Sequence, residues 1–445
     1  MKRLLSPIDV QIEITALCNQ RCRHCYNYWR HSDTPRPNEM SSEDLGCVLR
    51  KLKEARVVQL TFTGGEPLLR PDALMSSMSE AHKLCLGFGM NSNATLITDE
   101  VARELSLAGL QHALVSVLGP PAIHNMLGGG AASFDKTMNG ISHLMRHNIP
   151  VSTNMVVSKM NLDVMFETAQ LLKSSGIQMF CAGPMVPSCY DNIAMCLSGE
   201  EVKRCLSSLI RIEKELGLNI DILEPLPRCM FSKEEDSSFA RFFGNRACSA
   251  GVSTCVISSS GDARPCVHSD VEYGNLLRED FDLIWKRMSS WADVEILPDK
   301  CRSCLAINVC EGGCRMSAKV TSGQYNGQDM YMSDTIIDHD RACVLELHER
   351  VSQEPLAIDD ALSISSRCVI RREVDSVLIC SSNRFERMSL EGFEFVELLQ
   401  GIHDFTAKEI AETIGCDVAE VLQVFERLLI SGILLKSKRK EEIRT

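Results

Sequence analysis

The feature that most limits what this chain can become is its cysteine content, 21 in 445 residues, set at very uneven spacing. Three crowd into Cys18-Asn-Gln-Arg-Cys22-Arg-His-Cys25, and a second series runs Cys248, Cys255, Cys266, Cys301, Cys304, Cys310, Cys314 and Cys343. The opening Met1-Lys2-Arg3-Leu4-Leu5-Ser6-Pro7 starts like a signal peptide, but no apolar stretch continues it. The expected compartment is therefore the cytoplasm, where thiols stay reduced and a disulfide framework explains little. Ligation of a metal or a cluster explains more, and spacing is its test.

The length allows two or three domains. From residue 10 to 182, short β-rich runs (Val10–Thr15, Val57–Phe62, Leu86–Met90, Ala113–Val117, Val151–Val157, Ile177–Cys181) alternate with helical patterns (Ser42–Ala55, Pro71–Leu84, Asp99–Leu107, Phe134–His147, Leu162–Ser174). Such alternation means βαβ units on a parallel sheet. The expected fold is α/β, a partial (β/α)6 barrel of the TIM type over residues 1–200, with its active site at the carboxyl ends of the strands. A helical bridge, 201–247, leads out of it, beginning with a helical pattern over about Glu200–Leu216. Residues 248–350 are rich in Cys, Gly and Ser and poor in long periodic segments, so they need a staple other than an apolar core. Beyond Glu354-Pro355, residues 362–437 read as a small winged-helix-like module. Its expected parts are a hairpin about Glu373-Val374-Asp375, a strand over Phe385–Leu390, and helices over Gly392–Leu399, Ala407–Ile414 and Val418–Leu429. Thr406 and Glu409 form a capping box for the second of these helices.

Cys18, Cys22 and Cys25 directly follow the first strand. Three thiolates within eight residues grip three irons of a cubane and leave the fourth open, whereas a structural zinc site asks for four protein ligands. With this spacing the chain resembles the radical S-adenosylmethionine (SAM) superfamily. Gly64-Gly65-Glu66-Pro67, after the second strand, is similar to that family's motif for the methionyl ammonium of SAM. The glycines permit close backbone approach, Pro67 removes a donor, and the carbonyls and Glu66 accept from the ammonium. Asn91-Ser92-Asn93 after the third strand and Ser116 at the end of the fourth resemble the family's ribose-contacting segments. Many relatives carry Asp two residues after that serine; this chain has Leu118, so no carboxylate role is carried over.

The second series, Cys248-x12-Gly261-x4-Cys266, then Cys301-x2-Cys304-x5-Cys310-x3-Cys314, then Cys343, resembles the seven-cysteine pattern of SPASM domains. That resemblance implies two auxiliary [4Fe–4S] clusters beside the SAM-cleaving one, three in all. One is expected on Cys248, Cys255, Cys266 and Cys314, the other on Cys301, Cys304, Cys310 and Cys343. Two full sets leave no open iron and point to electron relay. Cys47, Cys85, Cys181, Cys189, Cys196, Cys205, Cys229, Cys368, Cys380 and Cys416 remain. Most are expected to be small buried apolar residues; Cys181 and Cys189 flank the end of the sixth strand, where facing the active site is the minority reading.

Residues 362–437 resemble the PqqD-like module, the recognition element for leader peptides. The resemblance rests on the hairpin, Ser389-Leu390-Glu391-Gly392, Leu398-Leu399-Gln400-Gly401, Thr406-x2-Glu409-Ile410 and Leu428-Leu429-x2-Gly432-Ile433-Leu434. It implies that a precursor peptide adds a strand to this module. The family reading is then a peptide maturase: the 5′-deoxyadenosyl radical abstracts hydrogen from the core peptide, giving an oxidative cross-link (C–C, C–O or thioether). A flavodoxin or ferredoxin-type protein would donate the electron. A sulfatase-maturating type, a peptide epimerase and a non-catalytic cluster-bearing regulator are the alternatives. Net charge is −12, and Asp417, Glu420 and Glu426 make the module's helix acidic, so no nucleic-acid partner is expected. The basic run Lys436–Lys440 is short and followed by Glu441 and Glu442, a solvated end. No apolar run of about 18 residues exists to span a membrane.

Overall fold

Strands β1 (Asp9–Thr15), β2 (Gln59–Gly64), β3 (Gly87–Ser92), β4 (Ala113–Ser116), β5 (Val151–Val157) and β6 (Met179–Pro184) lie side by side in chain order, every pair parallel. The computed structural model describes residues 3–27, 38–243, 248–334, 356–364, 368–373, 376–381, 384–388, 399, 404–430 and 433–436. Helices α1 (Ser42–Glu54), α2 (Pro71–Lys83), α3 (Asp99–Leu107), α4 (Pro121–Gly128), α5 (Ser133–Arg146) and α6 (Met165–Ser174) make the crossovers. Local chemistry fixes their starts: Ser41 and Asp44 cap α1 reciprocally, and Thr98 accepts from Val101 N at the start of α3. On the helix-facing side of the strands, Val10, Ile12, Leu60, Phe62, Phe88, Met90, Val115, Met155 and Phe180 are at most 1% exposed and supply the main apolar burial.

The sheet runs further than six strands. In the segment read as a helical bridge, α7 (Gly199–Leu216) is followed by β7 (Asn219–Asp221), which pairs with β6, and then by α8 (Lys233–Phe243). In the cysteine-rich segment, β8 (Thr254–Ile257) pairs parallel with β1, and β9 (Ala263–Arg264) turns back on β8. Both additions are too short to show a periodic pattern. The core is accordingly continuous, with Val10 and Phe62 in the same cluster as Ile257, Trp285 and Met316. Sheet and core therefore cross the boundaries expected near residues 200 and 247, and Met1–Leu347 is one compact unit, distinct from His348–Thr445.

Beside the β1–β8 pairing and the shared core, a buried charge pair also ties the cysteine-rich segment to the barrel strands. Glu13 on β1 meets Arg264 on β9 at 2.5 Å, each side chain 1% exposed. Arg264 also donates to the carbonyls of Ser269 (2.9 Å) and Val267 (3.4 Å), gathering the turn after Cys266.

In the second unit, Cys368–Arg372 (β11), Val377–Ser381 (β12) and Arg384–Met388 (β13) form an antiparallel sheet in that order, with the hairpin where the sequence places it. Leu362–Ile364 (β10) pairs with Leu434–Lys436 (β14). The helices Ala407–Ile414 and Val418–Ile430 pack on a small core of their own, including Val377, Ile379, Phe405 and Phe425. The Thr406–Glu409 capping box is present, at 2.9 and 3.2 Å. The expected helix Gly392–Leu399 and the motif Ser389–Gly392 lie outside the described residues, as does all of Leu398–Gly401 but Leu399. No helix among the described residues is long and apolar enough to cross a membrane.

Arg264→Met should lower the stability of the first unit by roughly 3–5 kcal/mol, because it leaves the Glu13 carboxyl buried and unpaired. Adding Glu13→Gln should restore much of that loss. Urea denaturation followed by tryptophan fluorescence checks both; a single variant as stable as wild type would mean that the pair does not hold the segment.

Candidate active site at the carboxyl ends of the strands

β1 runs directly into the Cys18–Cys25 loop, whose root is clamped. Glu39 accepts from Thr15 Oγ1 (2.6 Å) and Ala16 N (2.8 Å), while Arg70 donates to the carbonyls of Ile14 (2.9 Å) and Met40 (2.8 Å). The turn Gly64–Pro67 crosses this root at very close range. A Cβ on Gly64, at φ +140°, would stand 2.3 Å from the Thr15 carbonyl oxygen, and one on Gly65 would stand 1.9 Å from that of Leu17. The two glycines are thus required by the chain's own backbone, a reason the sequence reading assigned to the ligand. Gly65 N and Glu66 N complete the crossing by donating to the Thr15 and Leu17 carbonyls at 2.8 and 2.7 Å.

Glu66 is fully buried. Its carboxylate accepts from Ser92 Oγ (2.9 Å), Asn93 N (2.9 Å) and Leu68 N (3.3 Å), so it joins the β2 turn to the end of β3. Burial pushes its carboxyl up to about 7, against the pull of those three bonds. Asn93 then reaches the cluster loop, donating to Asn19 Oδ1 at 2.9 Å with Cys18 Sγ at 3.9 Å. Asn91 lies on β3, half-buried.

From the other side the loop rests on α4. Arg23 N donates to the Leu127 carbonyl (3.0 Å), and Cys22 Sγ lies 3.8 Å from that of Gly128. Gly129, at φ +75°, has no room for a Cβ beside the Arg21 carbonyl, 2.7 Å away. Gln20 donates to Ser133 Oγ (2.6 Å), which lies 3.3 Å from His124 Nε2, and His124 Nδ1 accepts from Leu118 N (3.2 Å). Burial pushes His124 down to about 4, so it is neutral at pH 7. Leu118 is buried (2%) with its carbonyl bonded to Asn161, so the position where relatives carry Asp is here an apolar wall. Glu39, Arg70, Gln20, His124 and Ser133 were not singled out from the sequence. The signal for α4 was available in Gly119-Pro120-Pro121, a proline at a helix start.

Ser116 on β4 is in register with Asn154 on β5, which is in register with Cys181 on β6. Paired residues of a sheet share a face. Asn154 Oδ1 and, in the cysteine loop, His24 Nδ1 are buried without a hydrogen-bond partner. Buried polar atoms of that kind cost free energy unless a ligand meets them. The donor set of Cys18, Cys22 and Cys25, the orphaned atoms and the glycine crossing fit a cluster with SAM beside it.

The second series separates into two groups. Cys248, Cys266 and Cys314 are each pushed up to about 12, by burial first and then by a neighbouring member of the trio or, for Cys314, by Asp329 as well. Asp329, 3% exposed, accepts from Cys314 N at 2.9 Å. Cys255 is not with them. It sits on β8 in register with Val10, 1% exposed in the apolar core, and the charges it feels are those of Asp9 and Arg3. This corrects the expected set: its side chain falls on the packed face of the strand, and the reading of two full sets loses its basis. Cys301, Cys304 and Cys310 form the other group; Cys343 lies outside the described residues. Among the described residues no three His, Cys, Asp or Glu side chains converge tightly enough for a single ion, and a cubane binds each thiolate to a different iron. Tyr26 and His268 meet edge to face at 5.2 Å between the loop of Cys25 and that of Cys266. Of the remaining cysteines, Cys181, Cys196 and Cys205 are buried, but Cys47, Cys85 and Cys416 are exposed, contrary to expectation.

Residues 12–172 match the radical SAM superfamily and residues 248–305 an iron-sulfur cluster-binding domain, SPASM. The chain is 26% identical over 332 residues to the AdoMet-dependent heme synthase of Oleidesulfovibrio alaskensis (71% of this chain, 84% of that one). It is 24% identical over 342 residues to the PqqA peptide cyclase of Rhizobium meliloti (74% and 88%). In fold it is similar to Streptococcus suis SuiB bound to its precursor peptide SuiA, with a TM-score of 0.60 and 17% identity over 74% of this chain and 76% of that one.

Glu66 carries a pH signature in the cofactor-free protein. Its unfolded value is 4.5 and its folded value about 7, so the folded state holds the proton more tightly. The resulting stabilisation is present below pH 4.5 and is lost as pH rises through about 7. Between those limits wild type should lose stability relative to Glu66→Gln. Denaturation midpoints of both proteins across the window test this, and a constant difference would mean that the carboxyl titrates normally.

Proposed function

We propose that this chain, a radical SAM enzyme with a SPASM domain, is a maturase that modifies a ribosomally made precursor peptide. The observation that carries the reading is the second unit. Besides a first unit similar to a peptide cyclase, the chain has a second, separate unit in which, among the described residues, β13 is an edge of a three-stranded antiparallel sheet, accompanied by two helices. An exposed edge offers unpaired N–H and C=O groups to an incoming strand. In this reading residues 362–437 are the PqqD-like leader-binding module, and within the one compact first unit 1–200 supply the six barrel strands, 201–247 the bridge that adds β7, and 248–350 the auxiliary-cluster segment that adds β8 and β9.

Cys18, Cys22 and Cys25 would hold the catalytic cluster, and Gly64–Pro67, Asn91–Asn93 and Ser116 would line the SAM site. Cluster and SAM, when bound, supply reductive cleavage to a 5′-deoxyadenosyl radical that takes a hydrogen atom from the substrate. The protein's part is positional. Glu66 locks the turn after β2 to the end of β3, the α4 terminus and Gln20 fix the cysteine loop, and Leu118 with neutral His124 closes the wall beyond Ser116 without adding charge. Cys248, Cys266 and Cys314, and Cys301, Cys304 and Cys310, would hold two auxiliary clusters. The reaction in view is an oxidative cross-link, with a flavodoxin or ferredoxin-type donor in the cytoplasm.

The likeness to heme synthases favours a tetrapyrrole as the second reading. It covers 71% of the chain and leaves a second, peptide-binding unit without a task. A Soret shift on adding a porphyrin, with no leader binding, would decide for it.

Replacing Cys18, Cys22 and Cys25 together by Ala should abolish 5′-deoxyadenosine formation under dithionite while leaving about eight irons, from two four-iron clusters. Surviving SAM cleavage would overturn the site. Removing residues 362–445 should abolish binding of the precursor leader, of roughly micromolar affinity in the intact chain, and spare uncoupled SAM cleavage. Fluorescence anisotropy reads it; equal affinities would favour the sulfatase-maturating type.

A further inference from the structure

We infer that Asn93 serves the cysteine loop and not the ribose of SAM: with Asn19 and Thr95 it closes a ring of hydrogen bonds that positions Cys18 and aims an N–H at its sulfur. The inference rests on the reading that Cys18, Cys22 and Cys25 hold the catalytic cluster, and it gives one residue of Asn91–Asn93 a different task beside it.

The ring follows from counting donors and acceptors. An asparagine side chain has two hydrogens to give and an oxygen that accepts twice. Asn93 Oδ1 accepts from Thr95 N (3.0 Å) and from Thr95 Oγ1 (2.6 Å). A backbone N–H only donates, so it fixes which end of the amide is the oxygen. Nδ2 then faces the other way and donates to Asn19 Oδ1 at 2.9 Å. Asn19 donates in turn from Nδ2 to Thr95 Oγ1 at 2.8 Å, which closes the ring. The hydrogen left on Asn93 Nδ2 is turned towards Cys18 Sγ, 3.9 Å away, and Gln20 N donates to the same sulfur at 3.4 Å. The main chain of Asn93 is spent as well: its N–H goes to Glu66, and its carbonyl accepts from Thr137 Oγ1 at 2.9 Å. No polar group of Asn93 is left for a ribose hydroxyl.

The backbone is bent to make the ring possible. Ala94, between the two partners, sits at φ +58°, in the left-handed region that a residue with a Cβ seldom adopts. It is buried, and α5 lies so close that a Cβ on Gly140 would stand 2.2 Å from its carbonyl oxygen. Ala94 N donates to Ser92 Oγ (2.9 Å), the hydroxyl that also serves Glu66. A conformation of this cost persists where its surroundings over-determine it, and such places gather at functional sites. Hydrogen bonds in a closed ring polarise one another. An N–H aimed at a cluster sulfur favours the reduced, more negative state and so raises the potential. Asn19, Asn93 and Thr95 are therefore positioning residues that act through Cys18.

The test uses the anaerobically reconstituted full-length chain, in which the EPR component that responds to SAM identifies this loop's cluster. Thr95→Val keeps the shape and removes the hydroxyl from both halves of the ring. It should lower that cluster's midpoint potential, read by EPR redox titration without SAM, and Asn93→Ala should lower it too. The double variant should lower it no further than Asn93→Ala alone, because the side chains act as one unit. Thr95→Ser, which restores the hydroxyl, should return the wild-type potential. A wild-type potential in both Thr95→Val and Asn93→Ala would overturn the inference. A SAM affinity then weakened roughly fivefold by Asn93→Ala, the worth of one hydrogen bond, would return Asn93 to the ribose. A SAM-responsive signal that survives Cys18→Ala would instead sink the wider reading of the loop, and the inference with it.

Discussion

The first unit depends on one crossing of backbones. The turn Gly64-Gly65 lies against Thr15–Leu17 so closely that no side chain fits at either glycine, and two main-chain hydrogen bonds seal the contact. Because the same few residues are the root of the Cys18–Cys25 loop, the turn after β2 and the loop after β1 form one rigid piece. Glu66 extends that piece to β3 through Ser92 and Asn93, and Asn93 returns to Asn19 in the loop. A site that must hold a cluster and its ligand in fixed relation gains most from such backbone fixing, because side-chain rotamers then have little to decide.

The auxiliary region is attached by a different device. Glu13 and Arg264 meet inside the protein, and the arginine's NH1 donates to the turn that follows Cys266. Buried pairs of this kind add little net stability but are costly to break. Here the pair sets the position of Cys266 relative to β1, and through Tyr26 and His268 relative to Cys25. The β8 strand, running parallel to β1 on the sheet's far side from β2, makes barrel and auxiliary region one folding unit.

Much of this was legible in the sequence because period and spacing carried it. β5 falls at Val151–Val157 as its pattern reads, and the capping residues of the helix at Ala407–Ile414 are those expected. β2 begins two residues later than its apolar run, because Val57 and Val58 are buried in the approach to the strand. β7, β8 and β9, at two to four residues each, leave no periodic trace, and they decide where the cysteines point. Cys255 looked like a ligand by its place between Cys248 and Cys266, yet strand parity turns it onto the face of Val10 and Ile257.

The central claim is that the loop of Cys18, Cys22 and Cys25 holds a cluster whose open iron takes SAM. The most direct measurement is EPR of the dithionite-reduced full-length protein carrying Cys266→Ala and Cys301→Ala, which leaves this loop's cluster to dominate the signal, before and after SAM is added. The account predicts a reduced four-iron signal whose g values move on SAM binding, because SAM would bind at the iron that the three cysteines leave open. A signal of that type that is indifferent to SAM would contradict it.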